Sequence, residues 1–404
     1  MARFCLPRDI YHGKGALETL KTLKGKRAIV CVGGGSMKRG GFLQRAEGYL
    51  REAGMEVRLF EGIESDPSVE TVMKGAAVMQ EFQPDWIVAM GGGSPIDAAK
   101  AMWIKYEHPE CSFEDMCKVF GLPKLRTKAR FVAISSTSGT ATEVTAFSII
   151  TDYAKGIKFP IADFEITPDI AIVDPELTLT MPQKLCAHTD MDALTHDLEA
   201  IVAVAHSPYS DALAIHSMKM IRDSLVKSFG GDAAARAVMH DAQCLAGMSF
   251  SNALLGIVHS LAHKTGAAFA GGHIIHGAAN AMYLPKVIKF NAAVPFAAAR
   301  YALCAGELAL AGAESSQEAK IAALIAWVRK LNDELNIPHC IRDYAANGLP
   351  GEGMVTAAEF ESKAAQIAEN AMGDACTGCN PRQMDAKLME RVLRCCWDDS
   401  EVDF

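Results

Sequence analysis

Two short apolar runs in this chain stop at the same four residues. Lys26–Val32 (KRAIVCV) ends at Gly33-Gly34-Gly35-Ser36, and Trp86–Met90 (WIVAM) ends at Gly91-Gly92-Gly93-Ser94, 58 positions later. Helical spacing follows each turn, at Phe42–Glu52 and at Ala98–Tyr106. Between them Glu56–Phe60 alternates like a strand, and Pro67-Ser68 opens an amphipathic helix running to about Phe82. Strands alternating with helices predict parallel βαβ units with right-handed crossovers. Phe131–Ser136 is a third buried strand. Two further strand-like runs, Phe147–Thr151 and Asp169–Val173, flank the connecting segment Lys155–Pro160 (KGIKFP). Residues 1–183 therefore read as a Rossmann-like, parallel α/β dinucleotide-binding domain.

Glycines at the carboxyl end of a strand let the backbone approach a phosphate, and the next helix offers free N–H groups. Neither turn has the GxGxxG form, because the third glycine position after Gly33 is Lys38, and no GxxxxGK[ST] loop is present. One such turn alone could serve packing only. Two of them, at the edge where open α/β sheets bind ligands, favour a nucleotide site. The third strand runs into Thr137-Ser138-Gly139-Thr140, whose hydroxyls can bond phosphate or ribose or merely cap the next segment. Lys158 can reach a ribose hydroxyl or stand as a solvated charge.

Beyond about Pro182 the strand-like runs end and alanine-rich helical runs follow, so residues 184–404 read as an all-helical second domain. This half holds GIVHSLAHKTGAAFAGGHIIHG (256–277), with His259, His263, His273 and His276 within 18 residues. His259 and His263 stand at i and i+4, as do Asp192 and His196 in MDALTHDLEA, so each pair shares a helix face. A carboxylate with several imidazoles suits Fe(II), Zn(II) or Mn(II). A lone histidine on an apolar face is more often a satisfied core residue; two paired sets within one half of the chain favour a shared metal. Nucleotide in one domain and metal in the other imply chemistry in the cleft between them.

Composition narrows the partners. With 404 residues, 50% hydrophobic and 22% charged, the chain is long enough for two cores. A formal charge of −8 gives no electrostatic footprint for nucleic acid or an anionic membrane. No apolar run reaches membrane-spanning length, and the start lacks a signal-peptide core. The twelve cysteines form no framework, which fits free thiols in the cytoplasm, and the CxxC of Cys376 and Cys379 has no second pair beside it.

Three stretches carry a family likeness: GGGSPIDAAK (91–100), SSTSGTATEVT (135–145), and DALTHDLEA followed by VHSLAHKTG and HGAANAMYLP. They resemble the iron-containing (group III) alcohol dehydrogenases, with YEHPE (106–110) and ACTGCNPRQ (375–383) pointing to the butanol-dehydrogenase type and to the alcohol-dehydrogenase half of bifunctional aldehyde-alcohol dehydrogenases. The resemblance implies Fe(II), or Zn(II), held by Asp192, His196, His259 and His276, with His273 the alternative to His276. His263 then matches a histidine near nicotinamide and substrate. Gly92, Gly93, Ser94 and Asp97 match pyrophosphate-binding positions, and Thr137, Thr140 and Lys158 match further nucleotide contacts. Some relatives carry an aspartate where this chain has Gly34. The small residue, with Ser36, Lys38 and Arg39 after it, leaves room for a 2′-phosphate, so NADP(H) is expected ahead of NAD(H). The implied reaction is reversible hydride transfer between NAD(P)H and short-chain aldehydes, giving primary alcohols, by a homodimer or larger homo-oligomer. Glycerol dehydrogenases and dehydroquinate-synthase-like enzymes share the architecture and are the alternative.

Overall fold

The computed structural model describes residues 3–155, 157–266, 268–269, 272–345 and 353–404. It divides into two compact units, Met1–Met181 and Pro182–Phe404. In the first, the elements run β1 (Asp9–His12), β2 (Arg27–Val32), α1 (Ser36–Arg39), α2 (Phe42–Glu52), β3 (Glu56–Phe60), α3 (Val69–Phe82), β4 (Trp86–Gly91), α4 (Gly93–Glu107), α5 (Phe113–Met116), β5 (Arg130–Ser135), β6 (Phe147–Asp152), β7 (Ile157–Ala162) and β8 (Ile170–Val173).

Six strands form one sheet in the order β1-β8-β5-β4-β2-β3, with every pairing parallel. Parallel strands need both faces covered, and β2, β4, β5 and β8 are apolar and buried almost throughout. Alternate side chains part to opposite faces. Ile29, Cys31, Ile87, Ala89, Phe131 and Ala133 pack with Met79 of α3 and Trp103 of α4. Ala28, Val30, Val88, Met90, Val132 and Ile134 pack with Leu43, Ala46 and Leu50 of α2. From β2 the chain passes to β3 on one side and then to β4 on the other, so a topological switch point lies beside β2.

Three features differ from the sequence expectation. The strand β1 carries no alternating pattern, and it exists because its backbone completes the sheet edge on β8. The segment expected to connect two strands is itself β7, paired antiparallel with β6 in a separate two-stranded sheet. Helix α4 starts at Gly93, inside the glycine turn, because Pro95 in a first turn forfeits only an N–H that would be unsatisfied anyway.

The second unit contains α6 (Gln183–Ala200), α7 (Pro208–Phe229), α8 (Ala233–Ala253), α9 (Ile257–Thr265), α10 (His276–Asn291), α11 (Pro295–Glu307), α12 (Gln317–Glu334), α13 (Ala357–Met372) and α14 (Ala386–Asp398). One bridge, Ala345 to Met354, is the departure from an all-helical unit among the described residues. These helices share one apolar core, and α6 runs through it, buried from Cys186 to Ala200 on every side. A helix buried all round is expected to be apolar. Instead α6 carries Asp190, Asp192, His196, Asp197 and Glu199, a cost that needs compensation. No single helix among the described residues is long and apolar enough to cross a membrane.

Candidate functional site

In the α/β unit, the chain leaving β2, β3 and β4 frames a cleft of about 350 Å³. Its lining includes Gly33, Gly34, Gly35, Ser36 and Lys38 after β2, Glu61 and Gly62 after β3, and Gly91 and Gly92 after β4. All stand at carboxyl ends of strands beside the switch point, where open α/β sheets hold nucleotides. Lys38 Nζ lies 3.4 Å from Glu61 Oε1. Glu61 escapes a sequence reading because only the sheet shows that β3 ends next to β2.

The second glycine turn meets the hydroxyl loop. A Cβ on Gly92 would lie 3.2 Å from Thr137 Cγ2, and one on Gly93 would lie 3.1 Å from Thr140 Cγ2. The fold thus gathers Gly92, Gly93, Thr137 and Thr140 at one place, and Thr137 Oγ1 is buried with no protein partner. Ser94 lies in the first turn of α4, and Asp97 follows one turn on. Burial pushes the Asp97 carboxyl above the usual carboxylate range against the pull of Lys100, whose ammonium donates to the carbonyls of Thr145 and Phe147. Lys158, on β7, pairs its Nζ with Asp66 Oδ1 at 2.7 Å and lies near enough to Asp97 to draw that carboxyl down, though it does not line the cleft of the first glycine turn.

In the helical unit, α6, α9 and α10 bring four donors together. Asp192 Oδ1 lies 3.5 Å from His259 Nε2, 3.6 Å from His276 Nε2 and 3.8 Å from His196 Nε2. A tetrahedral ion with the usual N and O bond lengths has donor–donor edges of about 3.4–3.6 Å. Asp192, His259 and His276 fit that spacing most closely. His196 lies a little farther out, stacked between the rings of Phe250 at 4.0 Å and His259 at 4.6 Å. Three imidazole nitrogens and one carboxylate oxygen form a donor set for a divalent metal, so the residues fit the group. Gly277 permits the approach of α10 to α6, since a Cβ there would collide with the carbonyl of His188. His273, the alternative to His276, is exposed and outside this group.

A second set of side chains supports the donors. Glu199 Oε2 stands 2.5 Å from His259 Nδ1, and its Oε1 accepts the backbone N–H of Val258 at 2.7 Å. This leaves Nε2 to face the other donors. Burial opposes charge on His259, but the Asp192 and Glu199 carboxylates outweigh it and raise the imidazole to about 9 among protein groups alone. Burial likewise opposes charge on Asp192, yet the surrounding histidines hold its carboxyl far below the usual range. The Asn280 amide donates to Asp192 Oδ1 at 2.6 Å and lies 3.2 Å from both His259 Nε2 and His276 Nε2. The His263 ring stacks on His276 at 5.2 Å and 7° and lies 6.0 Å from His259. Glu199, Asn280 and Asp374, the partner of His263 Nδ1, are missing from the sequence reading. Of these, Glu199 and Asn280 did lie inside the quoted motifs DALTHDLEA and HGAANA.

A switch-point cleft and a buried Asp/His metal-binding cluster define a metal-dependent oxidoreductase that uses a nicotinamide nucleotide. Residues 7–175 match the iron-containing alcohol dehydrogenase family, and residues 186–397 match the C-terminal part of the same family. The chain is 58% identical, over the full length of both, to an NADPH-dependent butanol dehydrogenase of Clostridium saccharobutylicum. It is 40% identical to a bifunctional aldehyde-alcohol dehydrogenase of Escherichia coli, with 96% of this chain matching 45% of that longer protein. Among solved structures, an iron-containing alcohol dehydrogenase from Thermococcus thioreducens shares 35% identity, with a TM-score of 0.86 over 98% of this chain and 100% of that one. The chain belongs to the iron-containing alcohol dehydrogenase family. Its activity is metal-dependent transfer of hydride between NAD(P)H and aldehydes or alcohols.

Proposed function

We propose that the protein reduces short-chain aldehydes to primary alcohols with NADPH, using Fe(II) held by Asp192, His196, His259 and His276. The observation that carries this reading is the spacing of three imidazole nitrogens 3.5–3.8 Å from Asp192 Oδ1. The preference for NADPH rests on the small residues Gly34 and Ser36 with Lys38 beside them in the cleft, and on the cofactor named for the 58% identical relative. Gly92, Gly93, Ser94 and Asp97 would receive the pyrophosphate at the N-terminus of α4, with Thr137, Thr140 and Lys158 as further contacts. We also infer a two-domain division at 183/184, with a homodimer or larger homo-oligomer working in the cytoplasm.

When bound, the metal acts as a Lewis acid on the carbonyl oxygen. The nicotinamide supplies the hydride. The protein's own part is to orient and to shield. Glu199 fixes the His259 ring so that Nε2 faces the metal position, and Asn280 holds the Asp192 carboxylate toward the same point. Apolar packing around α6 buries Asp192, His196 and His259 and leaves the partly exposed His276 as the open side of the cluster. His263, flat against His276, exchanges the proton that accompanies hydride transfer.

The test is aldehyde-dependent oxidation of NADPH and NADH by anaerobic protein, before and after chelation, with Fe(II) and then Zn(II) restored. Activity lost on chelation, regained with Fe(II) and faster with NADPH is the expected outcome. A KM for NADPH tenfold above that for NADH would overturn the cofactor preference. Turnover of glycerol but not of any short aldehyde would move the assignment to the polyol enzymes.

A further inference from the structure

The loop after α13 holds a carboxylate that the reaction scheme above does not use. The Asp374 side chain is fully buried, a position that is costly unless its oxygens are occupied. They are. Oδ2 lies 3.1 Å from His263 Nδ1 and 2.9 Å from Lys264 Nζ, and Oδ1 accepts the backbone N–H of Cys376 at 3.1 Å. The loop is tied to α9 as well, for Thr377 Oγ1 donates to Ser260 Oγ at 2.8 Å. His263 is therefore fixed at two places: its Nδ1 edge by Asp374 and its face by the parallel His276 ring.

The donors of His263, Asp374 and Cys376 lie close enough together to suggest a second metal. Two facts argue otherwise. The Lys264 ammonium already supplies a cation to the shared carboxylate oxygen. The other Asp374 oxygen, Oδ1, is likewise already occupied, by the backbone N–H of Cys376.

We propose that Asp374 is the positioning residue for His263, holding the proton on Nδ1 so that Nε2 is the nitrogen that exchanges a proton with the substrate oxygen. This rests on the reading that His263 handles that proton. In aldehyde reduction, hydride leaves the nicotinamide with its electron pair and forms the new C–H bond, and the carbonyl π pair moves onto oxygen. Nε2 takes a proton from solvent to give an imidazolium whose charge faces the Asp374 carboxylate, that Nε2–H bond then breaks as its proton forms the O–H bond, and His263 is left neutral with its proton on Nδ1. Asp374 stays ionised throughout and Nδ1 keeps its proton, the arrangement by which a buried aspartate fixes a histidine tautomer in hydrolytic triads.

The experiment is a double-mutant cycle on the Fe(II)-loaded enzyme: Asp374→Asn, His263→Ala and both together, with iron content and thermal midpoint recorded for each. The expected result is that D374N lowers kcat by about 10–100-fold while KM for NADPH and iron stoichiometry hold. In the H263A background, D374N then adds less than about 3-fold, because the two residues act as one unit. An equal loss from D374N in both backgrounds would reduce Asp374 to a structural role and overturn the proposal. Wild-type kcat in D374N with H263A impaired would also overturn it, leaving His263 in place. Wild-type kcat in H263A would instead remove the reading of His263 itself. If D374N strands Lys264 and fails to fold, the cycle is run with Lys264→Met present throughout, so that the D374N arms carry neither of the two buried charges.

Discussion

His188, on α6, is a buried imidazole whose Nδ1 has no hydrogen-bond partner in the protein. Burial, aided by Lys184, lowers it to about 4 from an ordinary 6.5. The folded protein thus holds it neutral where the unfolded chain protonates it, so its stabilising share is complete above pH 6.5. That share is lost as pH falls from 6.5 toward 4, by up to about 3 kcal/mol. The difference in unfolding free energy between wild type and His188→Gln is expected to shrink over this range. A difference independent of pH would show that His188 is not held neutral. Glu199→Gln removes the charge that backs His259 and is expected to weaken metal binding about 10–100-fold, read by competition against a chelator of known affinity. His276→Ala is expected to leave desalting without stoichiometric metal, whereas His273→Ala, at an exposed position, keeps it. The opposite pattern would exchange the two ligand assignments.

Elements show why part of this molecule is legible in its sequence. The bounds of α2 follow from side-chain period alone, because Phe42, Leu43, Ala46 and Leu50 are buried on one face; those of β3 follow its alternation, which turns the half-buried Val57 and Leu59 to the α2 side of the sheet. The i,i+4 spacing of Asp192 with His196, and the placing of His259 on a helix, likewise follow from local pattern. Features set by distant partners do not. Glu199 is 60 residues from His259, Asn280 is 88 from Asp192, and Asp374 is 111 from His263. Similarly, β7 contains Lys158 and Pro160, poor strand signals locally, and its pairing with β6 overrides them. The contact of α10 with α6 can be tested at one position. Gly277→Ala is expected to cost about 1–3 kcal/mol, as overpacking does, and to loosen the metal because His276 begins the displaced helix. A variant with unchanged thermal midpoint and metal content would show that the helices can part without consequence.

Each compact unit of the protein has its own apolar packing, and each is expected to answer to its own ligand. Calorimetry with NADPH is expected to raise the transition of the α/β unit, and Fe(II) that of the helical unit, by mass action on the folded form. A single transition moved equally by both would contradict independent stabilisation. The donor cluster carries a further consequence for the living cell. Its 3.5–3.8 Å edges are set by helices packed in a common core, and one carboxylate with three imidazoles admits Zn(II) as well as Fe(II). Intrinsic affinity in such sites rises along the first-row series toward copper and is higher for zinc than for iron. Identity of the bound ion is then decided by supply and by the moment of loading, rather than by the cage. Protein made in zinc-rich, iron-poor medium is expected to be well folded, fully metallated with the wrong ion, and altered in turnover. Nutrition thereby becomes a control on this enzyme that no change in its gene is needed to exert.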